Sequence, residues 1–320
     1  MITVSEIVQL VFYAVALLLL TPPLGKLMAR IFQGEKTFLS PVFGWLERLT
    51  YKLSGIDPAK EMNWKVYTLA LLAFNFFGFA IVFLLQMFQS SLPLNTQQLP
   101  DVSWHSSFNT AVSFMTNTNW QGYAGEVTMS YLTQMLGLTV QNFVSAATGI
   151  AVMVALARGV ARKTTSDIGN FWTDLTRSTV YVLLPLSILL TVVLVGQGVV
   201  QNFTSYQTVT TLEGVEQTIP LGPAASQVAI KQLGTNGGGF FNMNSSYPHE
   251  NPTPFSNFLE VLAILLIPSS LVYTFGVMTK ARRHAWVVWG AMFFMFAGGL
   301  AVSLGSEFST NPVTGVAGGM

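Results

Sequence analysis

The chain has 320 residues, of which 51% are hydrophobic and only 9% are charged, and it contains no cysteine. Soluble domains carry about 25% charged residues, so this composition excludes an ordinary soluble protein. The net charge of +1 gives no indication of nucleic acid as a partner, and disulfides or cysteine-ligated metals are excluded as well.

Six apolar segments predict membrane-spanning helices, each in a charge-free run that can hold the about 20 residues a span needs. The first has no positive charge before it and no small-residue cleavage site after it, so we interpret it as a retained helix and not as a signal peptide. The fold class that follows is an all-α polytopic membrane protein with about six transmembrane helices. The most apolar parts lie at 7–20 with its continuation, 66–88, 131–156, 180–200, 258–278 and 286–304.

The basic residues indicate how the chain is oriented. All of the 15 lysine and arginine residues except Lys231 fall in three alternating loops, which follow the first, third and fifth spans. Loops rich in lysine and arginine face the cytoplasm. We therefore expect the segments 89–130 and 201–257, and the tail after the sixth span, to face outward.

The two outward segments repeat one plan. Each has a semi-apolar stretch too short to span, WHSSFNTAVSFM at 104–115 and AASQVAIKQLG at 224–234, followed by a Thr-Asn pair. The pairs begin at Thr116 and Thr235, 119 residues apart. We interpret each segment as a re-entrant half-helix followed by a polar strand, which makes two re-entrant pore loops.

This plan predicts four parts of the chain. They are an extra amino-terminal helix with its cytoplasmic loop at 1–65, a first span, pore-loop and span repeat at 66–178, a second at 179–285, and the start of a third repeat with an outward tail at 286–320.

Backbone outside a helix at membrane depth survives only if it is buried in protein or lines water. Ion channels use such backbone, because rings of carbonyls can replace the hydration shell of a cation. The glycine triplet at 237–239 permits positive φ, threonine adds a hydroxyl acceptor, and asparagine can tie the strand to its support. The pattern therefore favours two strands of a cation filter, with a flexible outer loop as the alternative.

Several polar residues lie near these loops. For Gln141 and Asn142 in the third span we favour hydrogen bonding within the bundle, with an ion pathway as the alternative. Glu260 is expected to reach the membrane interface, where a carboxylate can also attract cations. The remaining carboxylates are expected to be solvated loop charges: Asp101, Glu126 and Glu250.

Nucleotide chemistry has no sequence support in this chain. No G-x-x-x-x-G-K-[ST] phosphate loop and no DKTGT sequence occurs, and the cytoplasmic loops are too short for a nucleotide domain. We therefore expect no nucleotide to be bound. The segment 206–219, YQTVTTLEGVEQTI, predicts a small hairpin that caps the outer vestibule.

Five stretches closely resemble the potassium-binding A subunit of the Kdp potassium-transporting ATPase, over essentially the whole chain. They are EMNWKVY at 61–67, LPLNTQQLP at 92–100, FNTAVSFMTNTNWQGYAGE at 108–126, LTVQNFVSAATGIAV at 138–152 and GTNGGGFFNMNSSYPHENPT at 234–253. The resemblance implies the superfamily of potassium transporters, with four pore repeats. It implies a potassium selectivity filter that includes Thr116, Asn117, Thr118, Asn119, Thr235, Asn236, Gly237 and Gly238.

The resemblance also implies function and partners. Potassium would be taken up from outside and passed through an intramembrane tunnel to the catalytic P-type ATPase B subunit. The C and F subunits of the Kdp complex and membrane lipid would be further partners. The chain would lie in the bacterial inner membrane as a non-catalytic subunit.

The family pattern continues through two more repeats, whereas this sequence has two. We therefore expect a truncated product, with dimerisation of two halves as the less favoured arrangement. The alternative function is a self-sufficient cation channel made by such a dimer. Thr118 stands where the second strand has Gly237, so the filter is expected to be asymmetric.

Overall fold

The structure is a computed structural model that describes residues 4–309, so the predicted tail beyond 309 lies outside the described residues. Six helices within that range are long and apolar enough to cross a membrane, which confirms the all-α polytopic fold class. Single helical turns lie at Gln89–Ser91, Gly125–Thr128 and Met243–Ser245. In chain order the main elements are α1 Val4–Phe32, α2 Ser40–Ser54, β1 Met62–Asn63, α3 Trp64–Met87, α4 Trp104–Met115, α5 Thr133–Ala161, β2 Asp167–Gly169, α6 Phe171–Gly196, β3 Gln207–Thr210, β4 Glu216–Ile219, α7 Ala224–Leu233, α8 Pro254–Met278 and α9 Arg282–Glu307.

The six predicted spans are confirmed as α1, α3, α5, α6, α8 and α9. The first is longer than its apolar run, because α1 continues through Pro22 and Pro23 to Phe32. Its second half packs along α8, and the Thr21 hydroxyl lies 2.6 Å from that of Ser269. Contact with a neighbouring helix, and not hydropathy, therefore decides where α1 ends. The predicted division into repeats stays a prediction.

One end of the bundle carries α2 and the lysine and arginine clusters, and we call it the basic end. Here β1 pairs with β2 in an antiparallel arrangement, with Met62 opposite Gly169. Beside this pair Arg162 donates two hydrogen bonds to the Glu61 carboxylate, at 2.8 and 2.7 Å. These contacts join the loop that follows α2 to the loop that follows α5.

Glu47 joins α2 to α6 at the same end. Its carboxylate accepts hydrogen bonds from Tyr181, at 2.7 Å, and from Arg177, at 3.1 Å. Burial acts to raise the pKa of the Glu47 carboxyl, but the hydrogen bonds from Tyr181, Tyr51 and Arg177 outweigh burial and hold that pKa below its usual value. The carboxylate therefore stays ionised where it ties the two helices together.

At the opposite end, which we call the pore-loop end, lie the two short helices α4 and α7. They coincide with the two predicted half-helices at 104–115 and 224–234, and this prediction is confirmed. Helix α4 packs against α3, and α7 packs between α6 and α8. Both stop short of a full span because a polar strand follows each of them.

The predicted hairpin in segment 206–219 is confirmed. Strands β3 and β4 pair antiparallel, with Gln207 opposite Ile219 and Thr210 opposite Glu216. The turn uses Gly214, whose φ of +76° lies in the left-handed region that glycine adopts without steric cost.

A π-helical stretch at Thr133–Thr139 opens α5 at the pore-loop end. Within it the Gln134 side chain donates to the Phe240 carbonyl at 3.0 Å and accepts from Gln227 of α7 at 3.0 Å. Such π-turns are frequent at functional sites, because they redirect side chains from the regular helical pattern. Here the redirected Gln134 joins α5, α7 and the segment that follows the glycine triplet.

Candidate functional site

The first candidate strand leaves α4 through a tight turn. The amides of Thr118 and Asn119 both donate to the Ser113 carbonyl, at 2.9 and 3.1 Å. Asn117 and Asn119 have φ of +60° and +55°, which asparagine tolerates better than most residues. The choice of asparagine at these positions therefore has a backbone reason as well as a side-chain one.

The second candidate strand leaves α7 in a related way. The Asn236 backbone amide donates to the Lys231 carbonyl at 2.9 Å. Thr235, Gly237 and Gly238 have φ of +55°, +78° and +72°. Asn236 lies between Thr235 and the two glycines and does not have a positive φ, so the left-handed region is entered at Thr235 and again at Gly237. Positive φ therefore favours glycine at Gly237 and Gly238, two of the three residues of the triplet.

The two strands lie against each other although they are far apart in sequence. A Cβ atom added at Gly238 would lie 3.1 Å from the Asn119 carbonyl oxygen, so only glycine allows this approach without a shift. Beside it the Gln121 side chain accepts from the Gly239 amide at 2.8 Å and donates to the Gly239 carbonyl at 3.1 Å. Glycine therefore serves close contact between the strands here.

The asparagines of the two Thr-Asn pairs also meet. The Asn117 side-chain amide donates to the Gly234 carbonyl at 3.2 Å, and the Asn236 side-chain amide donates to the Asn117 side-chain oxygen. Ser145 of α5 donates to the same Asn117 oxygen at 2.8 Å. Two residues 119 positions apart thus share one hydrogen-bond network.

Helix α5 supports both strands through Asn142 and Ser145, which we call the polar shelf. Asn119 of the first strand donates to the Asn142 side-chain oxygen, and Asn236 of the second donates to the Asn142 carbonyl at 3.2 Å. The predicted hydrogen bonding of Asn142 within the bundle is confirmed, with the strands as its partners. Gln141 contributes no bond here, since its buried Nε2 atom has no partner among the described residues.

Oxygen atoms are concentrated where the strands meet. The exposed hydroxyls of Thr116 and Thr118 lie 2.9 Å apart. The side-chain oxygens of Asn119 and Asn236 are buried and accept no hydrogen bond from the described residues. Hard monovalent cations are coordinated by carbonyl and hydroxyl oxygens of this kind. The structure therefore brings together residues of both predicted strands, while their role as cation ligands stays a prediction.

The expectation of a solvated Glu250 is wrong. Its side chain is fully buried and forms an ion pair with Lys231. It also accepts from the Phe241 amide at 2.7 Å and from the Ser245 hydroxyl at 2.9 Å. The chain folds back after the glycine triplet and encloses this carboxylate, which loop composition alone does not indicate.

The expectation that Glu260 reaches the membrane interface is also wrong. Glu260 is buried near the start of α8 and accepts from the Gln232 amide of α7 at 2.7 Å. Its other oxygen has no partner among the described residues. The packing of α7 on α8 covers this side chain.

Of the two remaining carboxylates, Asp101 agrees with the expectation of a solvated charge and Glu126 does not, because one of its oxygens is buried. Asp101 is exposed, as predicted, and accepts from the Ser90 amide at 2.8 Å. Glu126 is half-buried, and burial raises the pKa of its carboxyl above the usual value, with the Glu250 charge adding to the effect.

Lys231 lies near the site, and no functional role was predicted for it from the sequence. A signal for it exists, because it is the only lysine or arginine in the two long segments between spans two and three and between spans four and five. Burying a single basic residue of a half-helix inside the bundle costs free energy unless the charge has a partner. Glu250, 19 residues later, is that partner.

Comparison with known proteins identifies relatives over nearly the whole chain. The family model described as Potassium-transporting ATPase A subunit matches residues 11–319. A Herpetosiphon aurantiacus protein named potassium-transporting ATPase potassium-binding subunit is 56% identical over 318 residues, covering 97% of this chain and 55% of that protein. Proteins of the same name from Pseudomonas syringae pv. tomato and Sorangium cellulosum are 55% and 54% identical, with 96% and 99% of this chain covered and 54% and 56% of the relatives.

The chain spans about half the length of these relatives. The matched region includes α1 to α9 apart from the first turns of α1, and it contains both candidate strands and the polar shelf. The chain belongs to the family of potassium-transporting ATPase A subunits.

Proposed function

We propose that the chain is the potassium-binding, non-catalytic part of a potassium-transporting ATPase. The observation that carries this proposal is the meeting of the two Thr-Asn strands on the polar shelf, because it concentrates backbone carbonyls and hydroxyls of both repeats at one place. The relatives are named potassium-binding subunits, and these names give the same ion and the same binding role as the proposal.

In this proposal the filter residues are Thr116, Asn117, Thr118, Asn119, Thr235, Asn236, Gly237 and Gly238. Potassium sheds water on entering, and oxygens of the strands replace its hydration shell. A closed filter needs four such strands, so the proposal concerns the assembled transporter, in which two further strands accompany these.

The positive-inside rule places the basic end in the cytoplasm and the pore-loop end outside, which is the side from which an uptake system binds its ion. In a bacterium this corresponds to the inner membrane. From the filter the ion passes through an intramembrane tunnel to a separate catalytic P-type ATPase B subunit, which hydrolyses ATP. The C and F subunits complete the complex, and this chain binds no nucleotide.

Reconstitution into proteoliposomes tests the assignment as a transport subunit. Potassium uptake into the vesicles is measured for the protein assembled with its ATPase subunits and for the protein without them. We expect ATP-dependent potassium uptake only in the first case. Potassium flux without the ATPase subunits would instead support the self-sufficient cation channel and overturn the proposal.

Gly237→Asp tests the filter itself. Gly237 has φ of +78° and its nearest neighbour lies 3.8 Å from an added Cβ, so a side chain at this position meets backbone strain but no steric clash at Cβ. What changes is a carboxylate placed beside the ion. We expect discrimination of potassium over sodium in ATP-driven uptake by the assembled transporter to fall about tenfold, which corresponds to about 1.4 kcal/mol.

The matched control is Gly214→Asp in the turn between β3 and β4. Gly214 has a similar φ of +76° and no atom within 4 Å of an added Cβ, so the backbone cost is the same. We expect its ion selectivity to equal that of the unchanged protein. Equal selectivity in both variants would remove Gly237 from the filter.

A further inference from the structure

Lys231 is a buried cation directly behind the second candidate strand. Only 1% of its side chain is exposed, although lysine is almost never fully buried without a partner. Its ammonium donates to the Gly238 carbonyl at 2.8 Å and forms an ion pair with Glu250. The lysine therefore reaches from inside α7 to the backbone of the strand that follows it.

Glu250 balances this charge and is itself fully bonded. One carboxylate oxygen accepts from the Phe241 amide at 2.7 Å, and the other accepts from the Ser245 hydroxyl at 2.9 Å. The Lys231 ammonium and the Glu250 carboxylate form an ion pair, and both side chains are buried. The Lys231–Glu250 pair is thus neutral as a whole and adds no net repulsion to a potassium ion nearby.

The peptide groups at Gly238 are held from two sides. The Gly238 amide donates to the Asn244 side-chain oxygen at 2.8 Å, while its carbonyl accepts from Lys231. Hydrogen bonds from a charged donor are roughly twice as strong as neutral ones. The Gly238 carbonyl points at the buried ammonium, so this oxygen is directed into the protein and not towards an approaching cation.

The first strand is held in place without a lysine. Counted from the Thr-Asn pairs, Val112 occupies the position of Lys231, and Asn119 occupies that of Gly238. Asn119 has a side chain, and this side chain fastens the strand to Asn142 on the polar shelf. Gly238 has none, so its backbone requires a holder from elsewhere. Lys231 compensates for the side chain that the close approach of the strands excludes.

We propose that Lys231 is a positioning residue, which fixes the second filter strand by holding the Gly238 carbonyl out of the ion path. Thr235, Asn236 and Gly237 are then the positions of this strand whose carbonyls face the ion, and Gly238 belongs to the filter strand as its anchor and not as an ion ligand. This inference rests on the proposed potassium filter and deepens it. A strand that is held in its binding geometry loses less entropy when the ion enters, and affinity and selectivity rise together.

The test removes the pair as a unit, since Lys231→Met alone would leave a buried Glu250 uncompensated. The variants are Lys231→Met/Glu250→Gln and, with hydrogen-bonding groups kept at both positions, Lys231→Gln/Glu250→Gln. Each is assembled with the ATPase subunits, and potassium-dependent uptake and ATP hydrolysis are measured per assembled complex.

For Lys231→Met/Glu250→Gln we expect the KM for potassium to rise about tenfold, which corresponds to about 1.4 kcal/mol, and discrimination against sodium to fall. The maximal rate at saturating potassium stays near that of the unchanged protein, because the conduction path itself is intact. The KM of Lys231→Gln/Glu250→Gln is expected to lie between that of the unchanged protein and that of Lys231→Met/Glu250→Gln, since glutamine keeps a neutral donor near the Gly238 carbonyl.

The control is Lys52→Met on the exposed face of α2 at the basic end, which makes the same chemical change far from the filter. Its KM is expected to stay unchanged. An equal KM and selectivity in the double variants, a loss of maximal rate without a change in KM, or failure of both to assemble would assign the pair to folding alone and overturn the positioning role. Absence of potassium uptake by the unchanged complex would instead contradict the proposed function.

Discussion

Asn142 is the residue on which both candidate strands depend. It accepts from the Asn119 side chain through its own side-chain oxygen and from Asn236 through its carbonyl. Only the first of these contacts can be removed by mutation, because the second uses the backbone. A substitution at this position therefore loosens the first strand selectively.

Asn142→Leu is expected to destabilise the protein by about 1–3 kcal/mol, the cost of leaving the buried Asn119 amide without a partner. We also expect the KM for potassium in the assembled transporter to rise. Thermal unfolding in detergent and uptake kinetics measure the two effects. Thr148→Val is the control on the same helix, because its hydroxyl bonds only the Val144 carbonyl of its own turn, at 2.8 Å. If Asn142→Leu matched this control in KM, the polar shelf would have no part in ion binding.

The charged residues show how far residue-level prediction extends. Asp101 is solvated as expected, whereas Glu250 and Glu260 are buried. Each of the two buried carboxylates has an intramolecular donor, Lys231 for Glu250 and Gln232 for Glu260, and both donors lie on α7. A carboxylate's burial depends on where its donor lies in space, and this is not a local property of sequence.

Among the elements, α1 and α8 form the most extensive helix contact of the described chain. Gly25 permits this contact, because an added Cβ atom would lie 2.8 Å from the Ser270 carbonyl oxygen and 2.9 Å from Tyr273. The Thr274 hydroxyl donates to the Gly25 carbonyl at 3.0 Å across the same interface. Small residues at helix contacts of this kind allow the backbones of membrane helices to approach closely.

Gly25→Ala is therefore expected to destabilise the protein by about 1–3 kcal/mol through overpacking, although alanine favours helix. The melting temperature of the purified protein in detergent is the measurement. Gly290→Ala on the exposed side of α9 is the matched control, because no atom lies within 4 Å of its added Cβ, and its stability should be unchanged or slightly raised. A melting temperature of Gly25→Ala at or above that of the control would contradict the close contact.

For the whole molecule, the basic end is organised around one buried ion pair. Arg158 of α5 donates to both oxygens of Asp174 in α6, at 2.6 and 2.8 Å. Arg158 also donates to the Phe32 carbonyl at the end of α1, and Tyr67 of α3 donates to Asp174 at 3.1 Å. Four of the spans are thus connected through two side chains.

Arg158→Met is expected to destabilise the bundle by about 3–5 kcal/mol, because the buried Asp174 then lacks its partner. The double variant Arg158→Met/Asp174→Asn removes the uncompensated charge, so we expect it to recover a large part of this loss. Thermal unfolding of the two variants in detergent provides the comparison. A single variant as stable as the double one would show that the pair does not join the spans.

How much of the architecture follows from local sequence is clear from particular elements. The six spans, the half-helices α4 and α7, and the β3–β4 hairpin agree with prediction, because apolar run length and turn residues are local properties. The exit from α4 and α7 into Thr-Asn strands was likewise readable from the repeated pattern. The end of α1 was not, since helix–helix contact extends it beyond the apolar run.

By itself, the sequence determined that the chain is a membrane protein, how many spans it has and where the two Thr-Asn motifs lie, because each depends on composition or on residues adjacent in sequence. Only the tertiary structure decided that Asn117 and Asn236 share one hydrogen-bond network on the polar shelf, and that Lys231 lies buried between Gly238 and Glu250. The physical reason is that burial and hydrogen-bond partners depend on which distant segments pack together. Whether a polar side chain faces water or the interior is settled by that packing.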